Sequence, residues 1–217
     1  MSRISPRTRD LLEIIVGYGL ILTVIWTPNP LQRILYWITV ATILSFTLLR
    51  RENLKTLGLG TTGLVFSLWI PVLAFALSAL AVWVSFRLHT LHSLFGQAPL
   101  FSHVWGYLVW ALMQQFLLQS YFLSRMLRLV PGRWPAVGLV ALLFALAHIP
   151  NPVLTVLTLV WGTLSCLFFL RYRNLYTLAL AHGILGICLA ITIPDQVHRH
   201  MRVGLGYLHY HQRHGNR

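Results

Sequence analysis

The stretch LVFSLWIPVLAFALSALAVWVSF, residues 64–86, decides the fold class because it contains no charged side chain. A helix needs about 20 consecutive apolar residues to cross the hydrocarbon core of a bilayer, so this stretch predicts a membrane-spanning helix. Pro71 lies inside it and predicts a kink, because proline has no N–H to donate to the carbonyl one turn earlier.

Comparable apolar stretches occur on both sides of residues 64–86. They cover residues 11–26, 31–49, 104–122, 134–149, 153–170 and 175–193. The composition agrees, since 57% hydrophobic and 10% charged residues do not fit a soluble domain. We therefore predict an all-α, polytopic transmembrane helix bundle with about seven spans. It forms a single domain over residues 1–193, followed by a basic, His-rich C-terminal tail over residues 194–217.

The formal net charge of +13 arises with only four acidic residues in the chain. The arginines and lysines occur in short clusters between apolar stretches, which is typical of membrane loops and not of a nucleic-acid-binding face. We therefore expect no nucleic-acid partner. Basic clusters precede the first span and follow the second, fourth and sixth spans. This pattern predicts a multi-pass protein of the cell membrane with a cytoplasmic N-terminus.

Seven spans would place the basic tail, which includes Arg199 and Arg202, on the face opposite the N-terminus. Either the count differs by one, through a re-entrant segment near Pro150, or the tail is tolerated on that face. The tail contains two His-x-His pairs, but it lacks the surrounding groups that orient metal ligands. We expect a solvated tail, no metal site and no cofactor.

Polar residues inside the predicted spans are costly in lipid unless they face the interior of the bundle and find a partner. They are Gln114, Gln115 and Gln119 in the fourth span, His148 in the fifth and His182 in the seventh. Gln115 and Gln119 share one helix face, whereas Gln114 points away from it. Taken singly, each residue could simply form inter-helix hydrogen bonds. Together they predict one polar interior site in which His148 and His182 approach each other.

The only acidic residue inside a predicted span is Glu13, in the first turn of the first span. We expect its carboxylate to snorkel to the membrane interface. Cys166 and Cys188 lie within apolar spans, where a thiol packs as a small apolar group. These residues therefore add no catalytic group to the predicted site.

The order of these motifs resembles the CAAX protease and bacteriocin-processing membrane proteins, which include the type II CAAX prenyl endopeptidases. The resemblance covers about residues 100–193. Members typically carry Glu-Glu-x-x-x-Arg, Phe-x-x-x-His and His-x-x-x-Asn or Asp on successive helices. The corresponding positions here are Gln114, Gln115 and Gln119, then Phe144 and His148, then His182 and Gly186.

The resemblance implies an intramembrane endopeptidase in which the first Glu and the first His activate a water, while the second His and the Asn stabilise the oxyanion. Gln114 stands at the position of the catalytic carboxylate, and an amide cannot accept a proton at neutral pH. Gly186 removes the second oxyanion donor. Gln115 and Gln119 replace a pair of opposite charges together, so neither change leaves an unpaired buried charge.

Two hypotheses follow from these departures. The first is a CAAX-type intramembrane endopeptidase homologue, impaired in catalysis, that acts on a hydrophobic or prenylated peptide or protein segment in the lipid bilayer. Gln114, His148 and His182 would occupy its catalytic positions, and a neutral histidine could activate water in place of the carboxylate. The alternative is a catalytically silent membrane protein that binds a peptide or partner in the same cavity. A small transporter is not supported, because the sequence shows no inverted repeat.

Overall fold

The computed structural model describes residues 5–91 and 100–210, and all regular secondary structure in this part of the chain is helical. The predicted all-α fold class is therefore confirmed. The helices are α1 Pro6–Ile25, α2 Leu31–Leu49, α3 Leu64–Ser67, α4 Trp69–Arg87, α5 Leu100–Gln115, a π-helix Phe116–Leu123, α6 Ser124–Leu129, α7 Arg133–Leu146, α8 Pro152–Tyr172, α9 Leu175–Thr192, α10 Asp195–His198, a 3-10 helix Arg199–Met201 and α11 Gly204–Leu208.

Several helices in the described residues are long and apolar enough to cross a membrane. They are Leu31–Leu49, Leu64–Arg87, Pro152–Tyr172 and Leu175–Thr192. Helix α7 is also apolar but shorter. The chain is a multi-pass membrane protein, and the total of about seven spans stays a prediction.

The apolar stretch at residues 64–86 is interrupted near Pro71, where the sequence predicts a kink. Helices α3 and α4 are separated at Leu68. The N–H of residue 71 would normally bond to the carbonyl of Ser67, and proline has no N–H to donate. The interruption thus falls beside the carbonyl that loses its helical partner.

The chain forms two compact units, each assembled from separate parts of the sequence. Unit 1 contains Met1–Asn53, Tyr121–Thr163 and Arg202–Arg217, and unit 2 contains Leu54–Ser120 and Leu164–Met201. In unit 1, α1 packs against α2, α6 and α11. In unit 2, α9 packs against both α4 and α5. The single domain predicted for residues 1–193 stays a prediction.

Glu13 is the centre of an ion cluster in unit 1. Its carboxylate lies 2.9 Å from Arg9 Nε, 3.0 Å from Arg50 Nε and 2.7 Å from Arg125 Nε. The backbone carbonyl of Glu13 also accepts a hydrogen bond from the Tyr121 hydroxyl at 2.5 Å. Glu13 is only 4% exposed, so the expectation of a carboxylate that snorkels to the interface is wrong. Three guanidinium groups compensate for the water that the carboxylate loses on burial.

Asp10 extends the same cluster one turn earlier on α1. Its Oδ1 lies 2.7 Å from Arg50 Nη2 and 3.0 Å from Arg128 Nη2. Glu52 makes a longer contact with Arg128, 3.5 Å between Oε1 and Nη1. These contacts bring three elements together at one end of unit 1: the start of α1, the end of α2, and α6. This is the arrangement expected if the basic loops next to these helices lie on one side of the membrane. The assignment of that side to the cytoplasm stays a prediction.

The segment after α9 is folded as far as residue 210. In unit 1, the backbone N–H of Gly204 donates to the carbonyl of Ile149 at 3.0 Å, and Asn151 Nδ2 donates to the carbonyl of Arg202 at 3.1 Å. Gly204 has φ +53° and packs so closely on Ile25 that a Cβ would overlap it. Residues 202–210 thus pack on unit 1 and are not the solvated tail we expected. Residues 211–217 lie outside the described part of the chain.

Replacing Glu13→Ala should strongly destabilise the protein. The Arg125 side chain is 1% exposed, and it would lose the carboxylate that compensates its charge. Leaving such a charge unpaired costs about 3–5 kcal/mol. Glu52→Ala is the matched control, because its partner Arg128 is 40% exposed and the loss should be under about 1 kcal/mol. Unfolding in detergent measures both variants, and equal losses would contradict the central role of Glu13.

Stability should also depend on pH through Asp10. Burial tends to raise the pKa of Asp10, but Arg128 and Arg50 outweigh burial and hold the pKa below its ordinary value of 3.8. The ionised carboxylate therefore stabilises the fold above about pH 4, and this contribution is lost as the pH falls through the lowered pKa. The difference in unfolding free energy between wild type and Asp10→Asn should shrink in that range. A difference that stays constant from pH 7 to pH 3 would show that Asp10 contributes no such linkage.

Candidate functional site

A chain of neutral side chains crosses the interior of unit 2. Gln119 Nε2 donates to Gln115 Oε1 at 3.2 Å and to Ser165 Oγ at 3.1 Å. Gln115 Nε2 lies 3.1 Å from His182 Nδ1. Gln115, Gln119 and Ser165 are fully buried, and His182 is 8% exposed. Side chains from α5, the π-helix, α8 and α9 thus form one continuous hydrogen-bonded chain, which we call the amide chain.

The amide chain is built where α5 changes its helical geometry. Gln115 is the last residue of α5, and Gln119 lies in the π-helix Phe116–Leu123. The sequence predicted that these residues share one helix face, and their side chains are hydrogen-bonded, although the local helix is wider than the α-helix assumed in that prediction. Residues 116–123 contain neither proline nor glycine, so neither of these helix-disrupting residues indicates the π-helix in advance.

With the two amides in this orientation, the amide chain determines which nitrogen of His182 carries the ring hydrogen. Gln115 uses its oxygen to accept from Gln119 and so presents its NH2 group to His182. An amide nitrogen only donates, so His182 Nδ1 must accept. The neutral ring then carries its hydrogen on Nε2. His182 is thereby held as a donor at Nε2.

His148, which belongs to unit 1, is held in the other neutral tautomer, with its ring hydrogen on Nδ1. Its Nδ1 lies 2.7 Å from the carbonyl oxygen of Phe144, and because a carbonyl only accepts, Nδ1 carries the hydrogen. The Phe144 ring packs edge-on against the imidazole, with 4.9 Å between ring centroids. Within the described residues, Nε2 of His148 has no hydrogen-bond partner. The neutral ring of this half-buried residue therefore has a lone pair at Nε2 that can accept a proton.

Gln114 does not take part in the amide chain. It is half-buried, and within residues 5–91 and 100–210 its side chain has no hydrogen-bond partner. The position that corresponds to the family's catalytic carboxylate is therefore occupied by an amide without a defined contact. His148 lies in unit 1 and His182 in unit 2, so their expected approach and the shared polar site stay predictions.

Gly186 and Gly183 allow α5 to lie very close to α9. A Cβ at Gly186 would overlap the hydroxyl of Tyr107, and a Cβ at Gly183 would lie 2.5 Å from Leu108 Cδ2. The sequence indicated Gly186 only as a missing donor and gave no sign of Tyr107. The i, i+3 spacing of the two glycines is the pattern that could have indicated this contact, because small residues let membrane helices approach closely.

The carboxylates of Asp10, Glu13 and Glu52 are all ion-paired with arginines, so none of them is available as a general base. Cys166 and Cys188 are buried free thiols. Among the residues that the structure describes, no group of three or more His, Cys, Asp or Glu side chains could hold a metal ion. The candidate site therefore rests on the described histidines and amides.

Part of the chain matches the model of a known family. Residues 96–188 match the family model described as type II CAAX prenyl endopeptidase Rce1-like. This segment contains every motif position identified above, from Gln114 to Gly186, and the match confirms the resemblance. Neither the curated proteins nor the solved structures include a match to the chain.

Adjacent glutamines offer a matched test of the amide chain. Gln115→Leu removes the hydrogen bonds to Gln119 and His182 and should lower the unfolding free energy by about 1–2 kcal/mol. Gln114→Leu makes the same chemical change at a residue without a described partner, and its effect should be under about 0.5 kcal/mol. Thermal unfolding in detergent compares the two, and nitrogen NMR of His182 reports its tautomer. Equal stability of the two variants would show that the amide chain is unimportant for folding.

Proposed function

Because residues 96–188 match the Rce1-like type II CAAX prenyl endopeptidases, we propose that this membrane protein is an intramembrane endopeptidase homologue whose catalysis is impaired at the general base. Its substrate would be a hydrophobic or prenylated peptide or protein segment that enters from the bilayer. The residues at the catalytic positions are Gln114, His148 and His182, and the supporting positions are Gln115, Gln119, Phe144 and Gly186.

The observation that carries this proposal is the amide chain. Gln115 and Gln119 stand at positions where the family carries a carboxylate and a guanidinium, and they keep a hydrogen bond of 3.2 Å without any charge. Gln114 has likewise replaced a carboxylate. A positioned general base typically contributes about 10²–10⁴-fold to the rate, so its loss predicts slow hydrolysis by a protein whose amide chain remains hydrogen-bonded.

The hydrolysis that remains would depend on the two histidines. Nε2 of His148 accepts a proton from water as the water oxygen attacks the scissile carbonyl carbon. The Nε2–H of His182 donates to the oxyanion that forms. Collapse of the tetrahedral intermediate breaks the C–N bond, and His148 returns the proton to the leaving amine. The tautomers described above support these assignments, since His148 has its lone pair at Nε2 and His182 has its hydrogen there.

The second candidate function is a catalytically silent protein that binds the same kind of segment. Gln114 favours it, because this residue has neither a charge nor a described partner. The commitment of Asp10, Glu13 and Glu52 to arginines favours it as well. For either function we propose a cytoplasmic N-terminus and a polar site formed by the predicted fourth, fifth and seventh spans.

A cleavage assay with purified protein in lipid and a prenylated CAAX-type peptide tests the proposal. We expect slow turnover by wild type and at least a hundredfold loss in His148→Ala. His209→Ala is the matched control, because His209 is exposed, and its turnover should equal that of wild type.

The outcomes separate the two candidates. Turnover in His148→Ala equal to that of wild type would exclude His148 as the base. Peptide binding without turnover in any variant would overturn the endopeptidase assignment and support the silent protein. A peptide that neither binds nor is cleaved would contradict both candidates.

A further inference from the structure

Tyr107 places a hydroxyl where a side chain at position 186 would begin. The ring and hydroxyl fill the space next to the Cα of Gly186, so that a Cβ built there would overlap them. We propose that the Tyr107 hydroxyl donates a hydrogen bond to a backbone carbonyl oxygen of the peptide bound beside His182. This inference rests on the proposed function and assigns it a further substrate-contacting residue.

The position of Tyr107 relative to His182 follows from helix geometry. Gly186 lies four residues after His182 in α9, so the two positions share one face and are one turn apart. The Cα–Cβ bond of a helical residue tilts toward the N-terminus of its helix, so the Cβ position at residue 186 leans toward His182. A hydroxyl at this position therefore lies on the face of α9 that carries the imidazole.

A bound peptide would give the Tyr107 hydroxyl a hydrogen-bond partner. Within the described residues, Tyr107 neither donates nor accepts a hydrogen bond, although a tyrosine hydroxyl in apolar surroundings usually has a partner. The residue as a whole is half-buried. A bound peptide can supply the acceptor, because each of its carbonyl oxygens has two lone pairs.

Tyr107 and His182 together form a two-donor arrangement. The amide chain holds His182 with its hydrogen on Nε2, and the phenol of Tyr107 supplies an O–H on the same face of α9. In the family that this segment resembles, the second oxyanion donor is the Asn at the position of Gly186. Here the donor comes from α5, because Gly186 leaves room for the tyrosine. The ligand class is a peptide segment presenting a backbone carbonyl, and the contact does not depend on its side chains.

A purely packing role for Tyr107 gives a different expectation. In that case the aromatic ring fills the space that Gly186 leaves, and the hydroxyl has no role. Tyr107→Phe keeps the ring and removes only the hydroxyl, so it distinguishes the two roles. Tyr176→Phe is the matched control, since it removes a hydroxyl from the start of α9 that bonds to the carbonyl of Leu59.

The first experiment measures the Kd of a prenylated CAAX-type peptide for wild type and the two Phe variants in lipid nanodiscs. We expect Tyr107→Phe to raise Kd about tenfold with an unchanged unfolding midpoint, and Tyr176→Phe to leave Kd unchanged. A ¹³C label on the scissile carbonyl should show a lower infrared stretching frequency in wild type than in Tyr107→Phe. Equal Kd and equal frequency in these two proteins would overturn the inference.

A second pair of variants moves the donor. Tyr107→Leu removes both ring and hydroxyl and should weaken binding, whereas adding Gly186→Asn to it returns a donor from α9 and should recover affinity. A double variant that binds no better than Tyr107→Leu would count against a donor role. Peptide that binds wild type without turnover overturns hydrolysis but leaves the Tyr107 test valid. Peptide that does not bind wild type overturns the proposed function and this inference with it.

Discussion

A polar group buried in a membrane protein must find its partner within the protein, because lipid offers none. This chain meets the constraint in two ways. Unit 1 uses charge, with Glu13 and Asp10 surrounded by arginines at 2.7–3.0 Å. Unit 2 uses neutral groups, with two amides, a hydroxyl and an imidazole in one hydrogen-bonded chain. The candidate chemistry depends on the second solution, and the assembly of unit 1 depends on the first.

Local sequence features predicted much of this arrangement. The uncharged stretch at residues 64–86 indicated a membrane helix, Pro71 indicated a kink within it, and the spacing of Gln115 and Gln119 placed them on one helix face. The features that were missed depend on distant partners. Glu13 is buried because Arg50 and Arg125 reach it from 37 and 112 residues away, and no local pattern around residue 13 contains that information. Tyr107 was missed because the space at Gly186 exists only when α5 and α9 pack together.

The contact between Tyr107 and Gly186 changes what a return to the family pattern requires. Asn at position 186 requires the Tyr107 side chain to move, because the Cβ of the Asn would overlap the tyrosine hydroxyl. A glutamate at position 115 would place a carboxylate against Gln119, whose family counterpart is an arginine. The substitutions at these positions are therefore mutually dependent, as expected for residues in direct contact. Restoring a single family residue is therefore not expected to restore the family's site.

The amide chain has a property that a carboxylate–guanidinium pair lacks. A guanidinium only donates and an ionised carboxylate only accepts, so an ion pair has one direction. If both primary amides turned over, the Ser165 hydroxyl and Gln115 Nε2 would donate to Gln119 Oε1, and His182 Nδ1–H would donate to Gln115 Oε1. Every bond in the sequence of four groups would be kept. The ring hydrogen of His182 would then have moved from Nε2 to Nδ1, and the imidazole would present a lone pair in place of a donor, without any change in net charge.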